Sequence, residues 1–151
     1  MADVSAHVLP GALSVSRLAS GIAGGLVGGV AFGIMMQAMD MIPMVADLVD
    51  SKSTAVGWIV HLAISAFVGV TFAVLFGTRA TQFVPAALLG LGYGVVWWVL
   101  GALLLMPARL GMDVFMFNKT SWQSLAGHLV YGLLLGVVFA ALARRTEHRA
   151  A

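Results

Sequence analysis

The sequence predicts an all-α integral membrane protein, a four-helix bundle built from two parallel two-helix repeats. Three observations carry that prediction: a composition too apolar for a water-facing surface, four apolar runs of spanning length, and a histidine-bearing stretch that returns 67 residues further on. Hydrophobic residues make up 61% of the chain and charged residues only 9%, against roughly a quarter charged in ordinary globular domains. A soluble fold of this length would lack the polar groups to cover its surface. The formal charge is only +2, so no nucleic acid is expected as a partner. The absence of cysteine excludes disulfides, thiolate metal sites and cysteine nucleophiles.

A bilayer-crossing helix needs about 20 apolar residues, and four runs meet that need, at roughly 18–42, 54–77, 83–106 and 122–143. Before the first stands a tail, residues 1–16, with no basic cluster. That run has no convincing small-residue cleavage site after it, so it reads as a retained span and not as a signal peptide. A basic tail closes the chain at 144–151, with His148 in it. Arg17, Arg79, Arg144, Arg145 and Arg149 fall on one side of the predicted bundle, and Lys52, Arg109 and Lys119 on the other. This bias places both tails in the cytoplasm. Trp58 and Trp122 come near the outer span ends, where an aromatic belt would put them, and Trp97 and Trp98 fall mid-span.

The repeat is legible residue by residue. GWIVHLAISAFVGVTFA (57–73) and SLAGHLVYGLLLGVVFA (124–140) share the pairs His61/His128, Leu62/Leu129, Gly69/Gly136, Val70/Val137, Phe72/Phe139 and Ala73/Ala140. Upstream, GLVGG (25–29) leads to Pro43, as GLGYG (90–94) leads to Pro107. Each unit, 17–77 and 83–143, is thus a glycine-rich helix, a proline at its outer end, a loop and a histidine helix. Two spans per unit make the repeats parallel about an axis along the membrane normal.

Glycines at 21, 25, 29 and 33, with Gly24 and Gly28 beside them, and at 90 and 94, fall on helical four-residue spacing. In lipid, where helices gain nothing from leaving water, small residues let backbones approach and supply the packing. The same spacing puts His61 in the ladder Gly57, His61, Ser65, Gly69, Ala73, and His128 in Ser124, His128, Gly132, Gly136, Ala140. Both imidazoles therefore belong to helix-packing faces, roughly 10 Å inside the outer span ends. The repeat sets them at equal depth near the pseudo-twofold axis.

An ionisable side chain inside a membrane is a functional candidate, and the pair has four uses on sequence grounds. The first is structural: hydrogen bonds across helices to Ser65, Ser124, Tyr131 or a freed carbonyl. A second is a cofactor site, with haem b held axially by His61 and His128, or copper held with methionines, since thioether and imidazole suit Cu(I). Eight methionines besides Met1 gather toward the outer side, and Met36, Met39 and Met106 are the nearest candidates. Flexible core filling is the plainer use of methionine. The third is an outward-facing pocket binding or passing a small ligand or ion, lined by His61, His128, Ser65, Ser124 and Tyr131, joined by Gln37 and Asp40, with carbonyls freed by Pro43 and Pro107. The water interface is the plainer place for Asp40. The fourth, an enzyme, lacks any Ser–His–Asp set, HExxH or phosphate loop, so no catalytic residue is assigned. The expected function is thus non-enzymatic: a ligand or ion pocket, or a subunit of a membrane complex. The lipid bilayer is the expected partner, with a homodimer or larger complex built on any glycine face left over.

The arrangement of GLVGG, Pro43 and VGWIVH, then GLGYG, Met106-Pro107 and GHLVYG, resembles that of small bacterial four-span membrane proteins, including the YagU-like inner-membrane proteins. The likeness covers roughly residues 20 to 143 and is most specific in the histidine helices. The long first outer loop of the YagU-like proteins has no counterpart here. The resemblance implies a bacterial inner-membrane location and a duplicated four-helix fold, and it brings no activity or cofactor.

Overall fold

The computed structural model describes residues 14–150, with side chains as far as Arg145. Most of the predicted N-terminal tail, and the side chain of His148, lie outside the described residues. Every regular element among the described residues is helical. Helix α1 is Val15–Ala38, α2 is the short Ile42–Asp47, and α3 is Thr54–Phe76. The next span begins as α4, Phe83–Trp97, widens into a π-helical stretch, Trp98–Leu105, and ends in one turn, α5, Met106–Arg109. Helix α6 is Lys119–Ala150. Four of these rods are long and apolar enough to cross a membrane, and their outward faces carry large apolar side chains such as Ile34, Ile59, Val84 and Leu88. The chain is a multi-pass membrane protein built as a four-helix bundle.

Helix α1 is the hub, because it has two glycine faces. A Cβ on Gly21, Gly25, Gly29 or Gly33 would collide with α3, at Gly69, Ser65 and Trp58. On the other face, a Cβ at Gly24 would stand 2.9 Å from the Leu135 carbonyl oxygen, and one at Gly28 2.7 Å from that of Tyr131, both on α6. Helices α4 and α6 close on Gly90, Gly94, Gly132 and Gly136 in the same manner. The two hairpins share one register. Gly25 abuts the Ser65 carbonyl and Gly69, just as Gly90 abuts the Gly132 carbonyl and Gly136. Gly69 meets the Gly21 carbonyl as Gly136 meets that of Ala86. Between the crossings, Phe72, Phe139 and Leu135 are fully buried, and Phe72 packs against Phe76, Tyr93 and Phe139.

The outer connections are more ordered than loops. Helix α1 stops at Ala38, short of the expected 42, because Asp40 adopts φ 55°. The amide of Met41 then reaches back to the Met36 carbonyl at 2.8 Å, and that of Asp40 to Gln37 at 3.3 Å. This is the Schellman closure, with aspartate in the left-handed position that glycine usually takes. Asp50 (φ 56°) ends α2 with the same pair of bonds, Ser51 to Ala46 and Asp50 to Asp47, and Gly111 (φ 68°) ends α5. Pro43 does not cap α1; it stands in the first turn of α2, where its missing N–H is no loss. Helix α2 then folds onto α3 over Gly57.

Pro107 likewise leaves the span unbroken to Arg109. It deprives the Leu103 carbonyl of its helical donor, but that carbonyl accepts the Phe115 amide at 2.8 Å. The freed group therefore anchors the outer loop and does not line a pocket, contrary to the sequence expectation. Helix α6 starts early, at Lys119, because Asn118 and Ser121 cap it reciprocally: each backbone amide donates to the other's side chain, at 2.8 and 3.0 Å.

Candidate functional site

Helices α3 and α4 barely touch near the outer end, and a cavity of about 480 Å³ fills the gap. Phe32 and Met36 of α1 line it, with Val45 and Leu48 of α2. Helix α3 adds His61, Ile64, Ser65, Phe67 and Val68, and α6 adds Ser124, His128 and Tyr131. Trp97, Gly101, Ala102, Leu105, Met106 and Arg109 complete the wall from the third span. The lining is apolar apart from the histidine, hydroxyl and arginine groups named.

The location of the gap follows from where the two halves differ. Setting GLVGG on GLGYG pairs Gly28 with Tyr93, Phe32 with Trp97 and Met36 with Gly101. Gly28 lets α1 press on α6. Tyr93, in the matching place on α4, holds α3 off with its ring, and its hydroxyl donates to the Val68 carbonyl at 3.1 Å and pairs with Thr71. Further out, Gly101 and Ala102 present almost no side chain to the space, on the wide π-helical turn. Such turns are rare and recur at functional sites. A Cβ on Gly101 would meet nothing within 4 Å.

His61 and His128 both reach this cavity, as the repeat predicts, and one Phe32 ring stands edge-on to both imidazoles, with centroids 5.5 and 4.8 Å away. Their hydrogen bonds differ. His61 is buried, and its Nε2 lies 2.9 Å from the Gly29 carbonyl oxygen of α1. His128 is half-buried, and its Nδ1 lies 2.8 Å from the carbonyl oxygen of Ser124 on its own helix, with Ser124 Oγ at 3.3 Å. A carbonyl oxygen only accepts, so Nε2 of His61 and Nδ1 of His128 carry the protons. In a neutral ring the other nitrogen is a lone-pair acceptor, and on neither histidine does it have a partner among the described residues.

The hydroxyls serve the backbone. Ser65 Oγ donates to the His61 carbonyl at 2.8 Å, and the Tyr131 hydroxyl crosses from α6 to the Ser65 carbonyl at 2.7 Å. Interhelical bonds of this kind contribute about 0.6–1.7 kcal/mol in membranes. Tyr131→Phe should lower stability by that amount in mixed-micelle unfolding. No measurable loss would mean that the hydroxyl does not tie α3 to α6.

Not every sequence candidate joins the site. Met36 and Met106 line the cavity, and Met39 does not. Gln37 is exposed and accepts the Trp58 indole N–H on Oε1 at 3.1 Å, which holds it at the α1–α3 seam. Asp40 is exposed and closes α1 as described, so it belongs to the interface and not to the pocket. Phe32, Trp97, Gly101, Ala102 and Arg109 were not anticipated, although the Phe32/Trp97 and Met36/Gly101 pairs could be read from the aligned halves. A porphyrin clasped by both imidazoles would compete with Phe32 for the space beside them. The described residues contain no cluster of three or more histidine, cysteine, aspartate or glutamate side chains placed to hold a metal ion.

No curated protein and no solved structure matches this chain. Residues 15–150, which include all four spans and the whole cavity, match the model of a family of unknown function, DUF6789. The chain belongs to that family.

Proposed function

We propose that this chain is a non-enzymatic protein of the bacterial inner membrane, with both termini cytoplasmic, whose outward-facing cavity binds or passes a small ligand. The observation that carries the reading is the meeting of His61, His128, Ser65, Ser124 and Tyr131 on one cavity between α3 and the third span. The cavity lies toward the end bearing α2 and Arg109, the outer end by the distribution of arginine and lysine. Its volume is in the range of small-molecule sites, about 300–1,000 Å³. The non-enzymatic reading rests on the hydrogen bonds: the Ser65 and Tyr131 hydroxyls donate to carbonyls, and Ser124 Oγ faces a protonated Nδ1, which activates no nucleophile. Duplication of a two-helix unit is supported by the shared register of the hairpins. The bacterial inner-membrane location rests on the resemblance of the glycine, proline and histidine landmarks. The glycine ladders are occupied within the chain, so a homodimer or larger complex would use other faces.

Because the chain has no cysteine, single-cysteine labelling tests the pocket cleanly. Ala102→Cys, on the cavity wall, should react with a small membrane-impermeant thiol reagent added outside. Leu135→Cys, buried between α1 and α6, should stay unreactive until denaturation. Labelling of Ala102→Cys from the inside only, or not at all, would overturn the reading.

One observation favours copper as a second reading: Met36 and Met106 share the cavity with both imidazoles, and each ring already donates its N–H to a carbonyl, as metal-bound histidines do. Protein grown with copper and purified in mild detergent would then hold about one copper per chain, lost in His61→Ala and His128→Ala. Copper-free protein would remove this reading.

A further inference from the structure

We infer that the ligand is a lipid-soluble hydroquinone: an aromatic head whose hydroxyls donate to the free nitrogens of His61 and His128, and an apolar tail that leaves the cavity sideways into the bilayer. The inference rests on the pocket reading above and adds the ligand's chemistry.

Hydrogen-bond polarity is the first ground. With Nε2 of His61 and Nδ1 of His128 committed to carbonyl oxygens, the site offers lone pairs and asks for donors. Neither of these remaining nitrogens is sealed in protein; among the described residues Trp97 Nε1 is the fully buried side-chain nitrogen or oxygen without a partner. A ligand bearing carbonyl oxygens would meet acceptor with acceptor. An anion would meet the same lone pairs, while Arg109, the only cationic side chain lining the cavity among the described residues, stands at the rim and is already paired with Asp50 at 3.2 Å.

The second ground is the shape of the mouth. The α3 side of the cavity is formed by Ile64 and Phe67, which are 43% and 58% exposed, and the facing rim by Leu105, 58% exposed. These are lipid-facing apolar side chains, so a gap between them opens on hydrocarbon and admits a molecule already dissolved in the bilayer. The third ground is the wall around the histidines, where Phe32, Trp97 and Tyr131 supply aromatic edges and faces of the kind that pack on a flat ring. Ring, donors and tail together describe a hydroquinone better than an alcohol of similar length.

Competition binding on the unaltered protein in lipid nanodiscs tests this, with radiolabelled decyl-substituted benzohydroquinone kept reduced as the probe. Saturable binding near one per chain is expected. The oxidised quinone and the hydroquinone dimethyl ether, which have acceptors but no donors, should each need at least about tenfold higher concentration to compete. His61→Leu and His128→Leu should weaken the hydroquinone while leaving the ether unchanged, and helical content checks that both variants fold. Equal competition by all three compounds, or no saturable binding, overturns the inference. The ligand series on the unaltered chain decides this even if a variant misfolds. If Ala102→Cys still labels from outside, the pocket reading survives that failure; if it does not, both fall.

Discussion

Gly132→Ala should destabilise the bundle by about 1–3 kcal/mol, and Gly132→Val by more, whereas Gly92→Ala should be neutral or slightly stabilising. A Cβ on Gly132 would overlap the carbonyl oxygen of Gly90, and one on Gly90 that of Gly132. Both atoms are main chain, so no rotamer change relieves the clash and the helices must move apart; overpacking of this kind costs about 1–3 kcal/mol. In water, an added methyl would recover something by leaving solvent. In lipid it recovers nothing, because the separated helices rest in hydrocarbon already. The damage also spreads along the seam, since Gly94 abuts the His128 carbonyl and Gly136 that of Ala86. Gly92 sits on α4 between Gly90 and Gly94, and a methyl there would have nothing within 4 Å; alanine is preferred to glycine inside a helix by about 0.5–1 kcal/mol. Unfolding in mixed micelles compares the two directly. Equal stability would mean that the α4–α6 crossing is looser than backbone contact.

Periodicity explains what could be read in advance. Four-residue glycine spacing marked α1 as a packing helix, because a face without side chains has only one use in lipid, and the structure added that it serves two neighbours. The same spacing put His61 and His128 on packing faces, and the repeat brought them to one place. The sequence was silent where a group's role depends on its partner. Asp40 could be placed at the water interface in preference to the pocket, but only its φ of 55° shows it closing a helix end. Gln37 was a candidate for the pocket, and the Trp58 indole took it instead. Pro107 promised a free carbonyl, but whether that carbonyl faces a cavity or a loop depends on Phe115, a residue eight positions on. The π-helical stretch has no periodic signal, since WVLGALLL is apolar on every face. The position of the cavity was legible in principle through a difference between halves: tyrosine at 93 where the first half has Gly28.

Gly101→Trp should close the site without unfolding the protein. The glycine faces the cavity from the π-helical turn, and a Cβ there meets nothing within 4 Å, so the indole has room to enter where a bulky residue at the packed Gly90, Gly94, Gly132 or Gly136 would collide. An indole buries on the order of 200 Å², and each new carbon contact adds about 0.1–0.2 kcal/mol of dispersion, so the thermal midpoint should hold or rise. Ser124→Cys, half-buried across the cavity on α6, provides the readout: its reaction with the impermeant thiol reagent should slow at least about tenfold when Gly101→Trp is added. Gly92→Trp is the matched control, an equally unobstructed glycine that does not line the cavity, and it should leave labelling unchanged. Two results would count against the site. Undiminished labelling would mean that the reagent reaches α6 by another route, and a loss of several kcal/mol would mean that the wall at Gly101 is packed and not open. Hydroquinone binding should fall with the labelling, because the same volume serves the ring. If labelling falls and binding persists, the cavity is real and the ligand sits elsewhere.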